Sequence, residues 1–404
     1  MSQVKKNEQG TVVTPKGYQA AGIHSKVKRK RKDLGIIYSE KPANVAAVYT
    51  LNKIQAAPLT VTKESIATEN KIQAVVGNSG NANACTGKQG MKDAYSMRKT
   101  TAEKFDIPEH YVAVASTGII GLEMPMDKIT PNIEKLSLGT TEEHAAAFGE
   151  SILTTDTFPK STCYEAKIDG QVVTMAGAAK GSGMIEPNMG TMLGFITTDA
   201  NIESETLQTL LKEVVDETFN CITVDGDTST NDMVIVLANG LANNETLTPE
   251  HQDWTTFKEL LKKTCEDLAK EIARDGEGAT KLIDVTVTGA KTKEDARKAA
   301  KAIVGSSLVK TAVYGSDANW GRLIAAVGYS GADVDPEKID IAIGPIQLLK
   351  MSETADYSEE EATEYLQNET VEIFIDLNIG DGTGKAWGCD LTYDYVRINA
   401  SYRT

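Results

Sequence analysis

The chain has 404 residues, 41% of them hydrophobic and 25% charged, the usage of an ordinary globular protein with length for two or three packed units. Its 42 Lys and Arg against 57 Asp and Glu leave a net charge of −15, which makes it a poor non-specific binder of nucleic acid or anionic membranes. No stretch approaches the roughly 18 apolar residues of a membrane span, and MSQVKKNEQGTVV has no apolar core after its lysines, so no secretory signal is expected.

Five scattered cysteines without a C-x-x-C pair indicate neither a zinc site nor a disulfide framework, and the expected compartment is a reducing cytoplasm. HSKVKRKRKDLG (24–35) is a basic cluster that either holds an anionic ligand or forms a solvated hairpin; charge patterning favours the hairpin. AAVYTLN (46–52) and IQAVVGNSG (72–80) read as strands ending in loops. SETLQTLLKEVVDETFN (204–220) has leucines and valines at helical spacing, and TVDGDTSTNDMVIVLANG (223–240) is a polar loop followed by a buried strand. The segment 254–281 reads as a long helix closed by Asp275-Gly276. LIDVTVTGA (282–290) alternates as a half-buried strand does, and TKEDARKAAKAIVGSS (292–307) follows as an amphipathic helix with a threonine cap. The acidic 352–365 segment is expected to be helical, and 371–380 and 389–402 read as strands. With strands early and late, helices interspersed and no strict βαβ repeat, the pattern predicts a layered α+β or mixed sheet sandwich.

Several familiar chemistries are absent. GDGTGKA (380–386) has three residues between Gly380 and Gly384, where a phosphate loop needs four, and Ala386 follows Lys385, so it reads as a turn. The four histidines form no metal-binding spacing, and no G-x-S-x-G elbow is present. Acyl chemistry would therefore need another base, and the free amine of an amino-terminal threonine is one physical solution. Its unperturbed pKa near 8 suits neutral conditions. In KGSGMIEPNMGTMLGFITTDA (180–200) a glycine-dense loop runs through Pro187 and Gly190 to Thr191 and an apolar segment. Such a loop could hold the Gly190 carbonyl against the Thr191 hydroxyl, so that an N→O acyl shift and hydrolysis create a new terminus. The alternative is an ordinary turn or cap threonine.

MAGAAKGSGMIEPNMGTMLGFITTDA (175–200) closely resembles the autocleavage segment of the ornithine acetyltransferase/glutamate N-acetyltransferase family of arginine biosynthesis. GNSGNANACTG (77–87), ASTGIIGLEMPMDKI (115–129), SILTTDTFPK (151–160), TVDGDTSTND (223–232), ARDGEGATK (273–281), VYGSDANWGR (313–322) and RINASYRT (397–404) are similar to family segments and follow in order along nearly the whole chain.

The resemblance implies a cut between Gly190 and Thr191, giving chains 1–190 and 191–404, with approximate subdomains 201–281 and 282–404 in the second. It implies Thr191 as nucleophile, Thr117 and Gly118 as the oxyanion hole, and substrate contacts at Thr154, Thr155, Lys180, Thr191, Glu277, Asn399 and Thr404. The implied fold is a layered αββα-type sandwich, shared with self-processing aminopeptidases, carrying smaller α+β carboxy-terminal subdomains. The implied reaction moves acetyl from N²-acetylornithine to L-glutamate through acetyl-Thr191. The implied assembly is a heterotetramer, with no metal and no required cofactor. Some family members also use acetyl-CoA as donor, and no residue named here decides that. Two positions depart from the usual pattern: Gly190 replaces an alanine, and Glu186 stands where a histidine is common. The rival readings are a related self-processing aminopeptidase or amidase, and an uncleaved binding protein.

Overall fold

The strand Leu34–Tyr49 decides the architecture, because it serves both halves of one nine-stranded sheet. The computed structural model describes residues 4–186 and 192–401. In chain order the first sheet and its helices are β1 (Lys5–Lys6), β2 (Tyr18–Ile23), β3 (Leu34–Tyr49), α1 (Ala57–Glu69), β4 (Lys71–Asn81), α2 (Gly87–Phe105), β5 (Val112–Ile119), α3 (Met126–Ile133), α4 (Glu142–Ser151), β6 (Lys160–Ile168), β7 (Gln171–Lys180), β8 (Leu193–Thr198), α5 (Ser204–Glu217), β9 (Met233–Ala238) and α6 (Trp254–Arg274). The remainder is β10 (Leu282–Ala290), α7 (Lys293–Gly305), α8 (Ser307–Tyr314), α9 (Trp320–Tyr329), β11 (Asp340–Ile343), β12 (Ile346–Lys350), β13 (Glu353–Thr354), α10 (Glu359–Tyr365), β14 (Thr370–Asp376), β15 (Gly382–Cys389) and α11 (Tyr393–Ser401).

The first half of β3 pairs antiparallel with β2 and β4, and its second half pairs with β9. The ladder shifts register between Tyr38 and Ala43, around the exposed Glu40, Lys41 and Pro42. Proline cannot donate to a ladder, so the strand bends there. Side-chain alternation then sorts the core. Ile37, Val75 and Ala113 of one half share a cluster with Val45, Phe195, Ile235 and Leu237 of the other. Their alternates Ile36, Val76 and Val114 pack with α2 and α3, and Ala46, Ile196 and Val236 pack with α5 and α6. The two halves therefore face each other between outer helices, an αββα sandwich. The Tyr18 hydroxyl crosses between them, donating to the Leu237 carbonyl at 2.7 Å.

The second sheet, ordered β13-β12-β11-β14-β10-β15, joins the same hydrophobic core through α6. Ile283, Val285 and Val287 are buried on one face of β10, while Asp284 and Thr286 on the other are half-buried. The helices predicted over 204–220, 254–281 and 292–307 are present but end earlier, at Glu217, Arg274 and Gly305, and Thr292 caps α7 by accepting from the Asp295 N–H.

Three expectations change. The strand expected over 389–402 is not formed among its described residues: β15 stops at Cys389, and Tyr393–Ser401 is helical. The alternation in TYDYVRI is not a burial pattern, since Tyr393 and Val396 are both exposed, and the Asp394 N–H is capped by the Thr392 hydroxyl. Helix in the 352–365 segment is confined to Glu359–Tyr365, capped by Ser358. From Gly382 onward GDGTGKA is strand, paired with β10, so only its first residues turn. The basic 24–35 segment does link a β2–β3 hairpin, but Lys28 Nζ and Arg31 donate to the Leu153 and Asp156 carbonyls. Among the described residues no helix is long and apolar enough to cross a membrane.

Phe148 of α4 is fully buried and meets Phe195 edge-on at 5.3 Å between the two halves. Phe148→Ala is expected to cost about 3–5 kcal/mol in denaturant unfolding, because it opens a cavity at that seam.

Candidate active site

Gly118, next to last in β5, has φ +133°, and a Cβ there would lie 2.4 Å from the Gly80 carbonyl carbon, so only glycine fits. Thr117 beside it is buried, and its Oγ1 accepts a 3.0 Å hydrogen bond from Lys180 Nζ at the end of β7. This contact joins the two halves of the sandwich. Lys180 is not a surface lysine: it is only 9% exposed. Burial lowers its pKa, against the opposing pull of Asp156 and Asp232.

The surrounding loops hang from a buried ion triad. Lys160 Nζ donates to Asp156 Oδ1 at 2.7 Å and to Asp275 Oδ2 at 2.5 Å, with all three side chains essentially inaccessible. Asp156 also accepts from the Gly181 N–H at 2.7 Å and the Thr154 N–H at 2.9 Å. Asp275, just past α6, accepts from the Thr157 N–H and hydroxyl, and its carbonyl accepts from the Ser182 hydroxyl at 2.6 Å. Burial alone would raise the Asp156 pKa, but Lys160 and Lys180 beside it pull it down to about 2.

Glu277 follows two residues after Asp275. Its N–H donates to the Ser182 carbonyl at 3.0 Å, and its carboxylate accepts from Asn399 Nδ2 of α11 at 2.7 Å. A Cβ on Gly183 would come 2.4 Å from the Glu277 carboxyl carbon, so glycine lets the loop pass. Upstream of the expected cut, Asp225 accepts the N–H groups of Met184 and Ile185 at 2.7 and 2.8 Å. Glu186 pairs with Lys301 at 3.3 Å.

Thr117, Gly118, Thr154, Thr155, Lys180, Glu277 and Asn399 thus line one pocket of about 100 Å³. Gly190, Thr191 and Thr404 lie outside the described residues. Sequence reasoning assigned no role to Ser229, Asn231 and Asp232, which line the same pocket. Asn231 Nδ2 donates to the Ala82 and Ser116 carbonyls, bracing the end of β5. Asp232 is buried, and its Oδ2 has no hydrogen-bond partner among the described residues; burial raises its pKa while Lys180 opposes the rise. The available signal was the polar run TSTND immediately before the wholly apolar MVIVLA.

Chemically, the arrangement offers a backbone N–H and a hydroxyl side by side, with a buried ammonium against the hydroxyl oxygen. Because Lys180 donates to Thr117 Oγ1, the threonine hydrogen stays available for another acceptor. The ammonium keeps further donors for an anionic group.

Lys160→Met leaves two buried carboxylates without their cation and is expected to cost about 3–5 kcal/mol in denaturant unfolding. Asp156 has a folded pKa below its unfolded value. Its contribution is therefore complete above about pH 4 and lost as pH falls toward about 2. Unfolding curves over that window should show the loss, and Asp156→Asn should flatten it.

The sequence model of the ArgJ family matches residues 19–404. The arginine biosynthesis bifunctional protein ArgJ of Geobacillus kaustophilus is 63% identical over 403 residues, covering 100% of this chain and 98% of its own. The protein of that name from Halalkalibacterium halodurans is 64% identical over 404 residues, with the same coverage. A crystal structure of arginine biosynthesis bifunctional protein argJ from Bacillus halodurans aligns with TM-score 0.52 and 67% identity, over 52% of this chain and 100% of the solved one.

Proposed function

This chain belongs to the ArgJ family, and from that premise we propose that it is an acyltransferase of arginine biosynthesis moving acetyl from N²-acetylornithine to L-glutamate. The observation that carries the reading is the Lys180–Thr117 contact at 3.0 Å, in a pocket that also gathers Gly118, Thr154, Thr155, Glu277 and Asn399.

The chain is cut between Gly190 and Thr191, and the new Thr191 amine takes the proton from its own hydroxyl. The oxygen attacks the acetamide carbonyl. The Gly118 N–H and the Thr117 hydroxyl hydrogen stabilise the oxyanion, and losing one such donor typically costs about 10²–10³ in rate. The protonated Thr191 amine gives that proton to the departing nitrogen, so ornithine leaves as the amine; glutamate enters, its amine attacks the acetyl-Thr191 ester, and the proton it loses passes through the Thr191 amine back to the released Thr191 oxygen. The α-carboxylate common to both amino acids pairs with Lys180, and Glu277, presented by Asn399, suits the ornithine side-chain amine. Thr154, Thr155 and Thr404 complete the substrate contacts. No cofactor is required in this route, and acetyl-CoA serves as a second donor only if it can acylate the same threonine.

The topology supports a cut that leaves the molecule whole. β7 and β8 are antiparallel neighbours, with Lys180 opposite Leu193. In the order β1-β6-β7-β8-β9-β3-β4-β5, chain 191–404 supplies β8 and β9, which lie between strands of chain 1–190. The two products are interleaved by sheet hydrogen bonds on both sides. The solved Bacillus halodurans chain, matched over its full length to about half of this one, also fits a division near the middle. Two copies of each chain form the proposed heterotetramer.

Under denaturing conditions the protein should yield two chains, the second beginning at Thr191, which stay together under native conditions. A persistent single species of 43.4 kDa would sink the processed-enzyme reading. Thr191→Ala should remain uncut and inactive, and acetyl transfer surviving in it would exclude this nucleophile. N-acetylglutamate should exceed free acetate as product; the reverse would favour the amidase. Lys180→Gln should raise KM for both amino acids roughly 10- to 100-fold, the weight of one charge-assisted hydrogen bond. In the intact enzyme KM should climb on the alkaline side below pH 10.5, as Lys180 loses its proton, and the variant should lack that climb.

A further inference from the structure

A cavity of about 280 Å³ lies where α5, α6 and α7 meet β10 and β15, and it shares no lining residue with the acetyl-transfer pocket. Its wall contains Thr383, Gly384 and Lys385, from the glycine-rich stretch that the reaction leaves unused. Lys293 and Arg297 of α7 face the same space.

The charges there are unusual for a chain of net charge −15. The two wall carboxylates already have cations: Glu217 pairs with Lys262 at 2.5 Å, and Glu266 pairs with Lys270 at 2.9 Å. Lys293, Arg297 and Lys385 make no ion pair within 4.0 Å among the described residues, although Lys293 lies near enough to Glu217 to help hold its carboxyl pKa down. One Arg297 nitrogen donates to the Asp216 carbonyl at 3.3 Å, which leaves other donors of its planar fork unused. Gly384 explains the convergence, since a Cβ there would lie 2.7 Å from the Arg297 backbone nitrogen. Glycine thus lets β15 close on α7 and brings Lys385 and Arg297 to one cavity. Trp387, 1% exposed, forms the apolar part of the same wall, with Lys270 Nζ 5.2 Å from its ring centroid.

We propose that this cavity binds a phosphate dianion, either free or as the terminal group of a phosphate monoester. Three cations set by two different elements converge on this wall, more positive charge than Glu217 and Glu266 offset, and a tetrahedral dianion offers acceptors to more than one of them. The Thr286 and Thr383 hydroxyls supply neutral donors on the same wall. The proposal does not depend on the acetyl-transfer reading.

The test is calorimetric titration of the full-length protein at low ionic strength, with inorganic phosphate in one arm and glycerol 3-phosphate in the other. Saturable binding with a dissociation constant of about 1 mM or tighter is expected in at least one arm. Tighter binding of the monoester identifies a metabolite headgroup, and equal or weaker binding identifies free phosphate. The double variant Arg297→Gln, Lys385→Gln changes side chains on the accessible rim and should weaken binding at least about tenfold. Absence of saturable heat in both arms up to about 10 mM, or undiminished binding by the double variant, overturns the proposal.

Discussion

The buried ammonium of Lys160, held between Asp156 and Asp275, is the constraint from which the candidate pocket hangs. A charge taken out of water is tolerated only when it is paired and its partners are themselves satisfied. Here that requirement binds three distant segments into one unit. Asp156 carries the loop of Thr154 and Thr155, its second contact holds Gly181 next to Lys180, and Asp275 fixes the turn that presents Glu277. Moving any one segment unpairs a buried charge, so the pocket keeps its shape through ion pairing rather than through the surrounding loops alone.

The bent strand β3 does the corresponding work for the fold. By serving β2 and β4 with one half and β9 with the other, it turns a single sheet into two facing layers. Thr117 and Lys180 belong to opposite layers and meet at the open end between them. The catalytic reading needs that meeting, because an oxyanion donor and a carboxylate partner must address one substrate. Interleaved strand order adds a second property: a break between β7 and β8 frees two chain ends without freeing either chain.

Much of this was legible in the residues. Helical spacing marked α5, α6 and α7, and alternation marked β10, because burial of one face imposes a period on the chain. The same logic misread 389–402, where alternating residues are mostly exposed and report no buried face. Within the site, the resemblance pointed to Lys180, Glu277 and Asn399. It gave no sign that Lys180 is buried or that Asn399 hydrogen-bonds Glu277 across 122 residues of sequence. Asp156 and Lys160 sit together in TTDTFPK, but Asp275 lies 115 residues beyond Lys160 and carries no local mark of being its partner. Asn231 and Asp232 were missed for the same reason, since the carbonyls that Asn231 contacts and the Lys180 ammonium that acts on Asp232 belong to distant segments.

By itself, then, the sequence determined the residue types available for chemistry, the scarcity of histidine, and the local elements, since each depends on composition or near-neighbour spacing. The tertiary structure alone decided which groups meet, which of them lose water, and where the two halves of the chain interlock. Those outcomes depend on contacts between segments far apart in the chain, and on the electrostatic cost of burying charge, which no local pattern encodes.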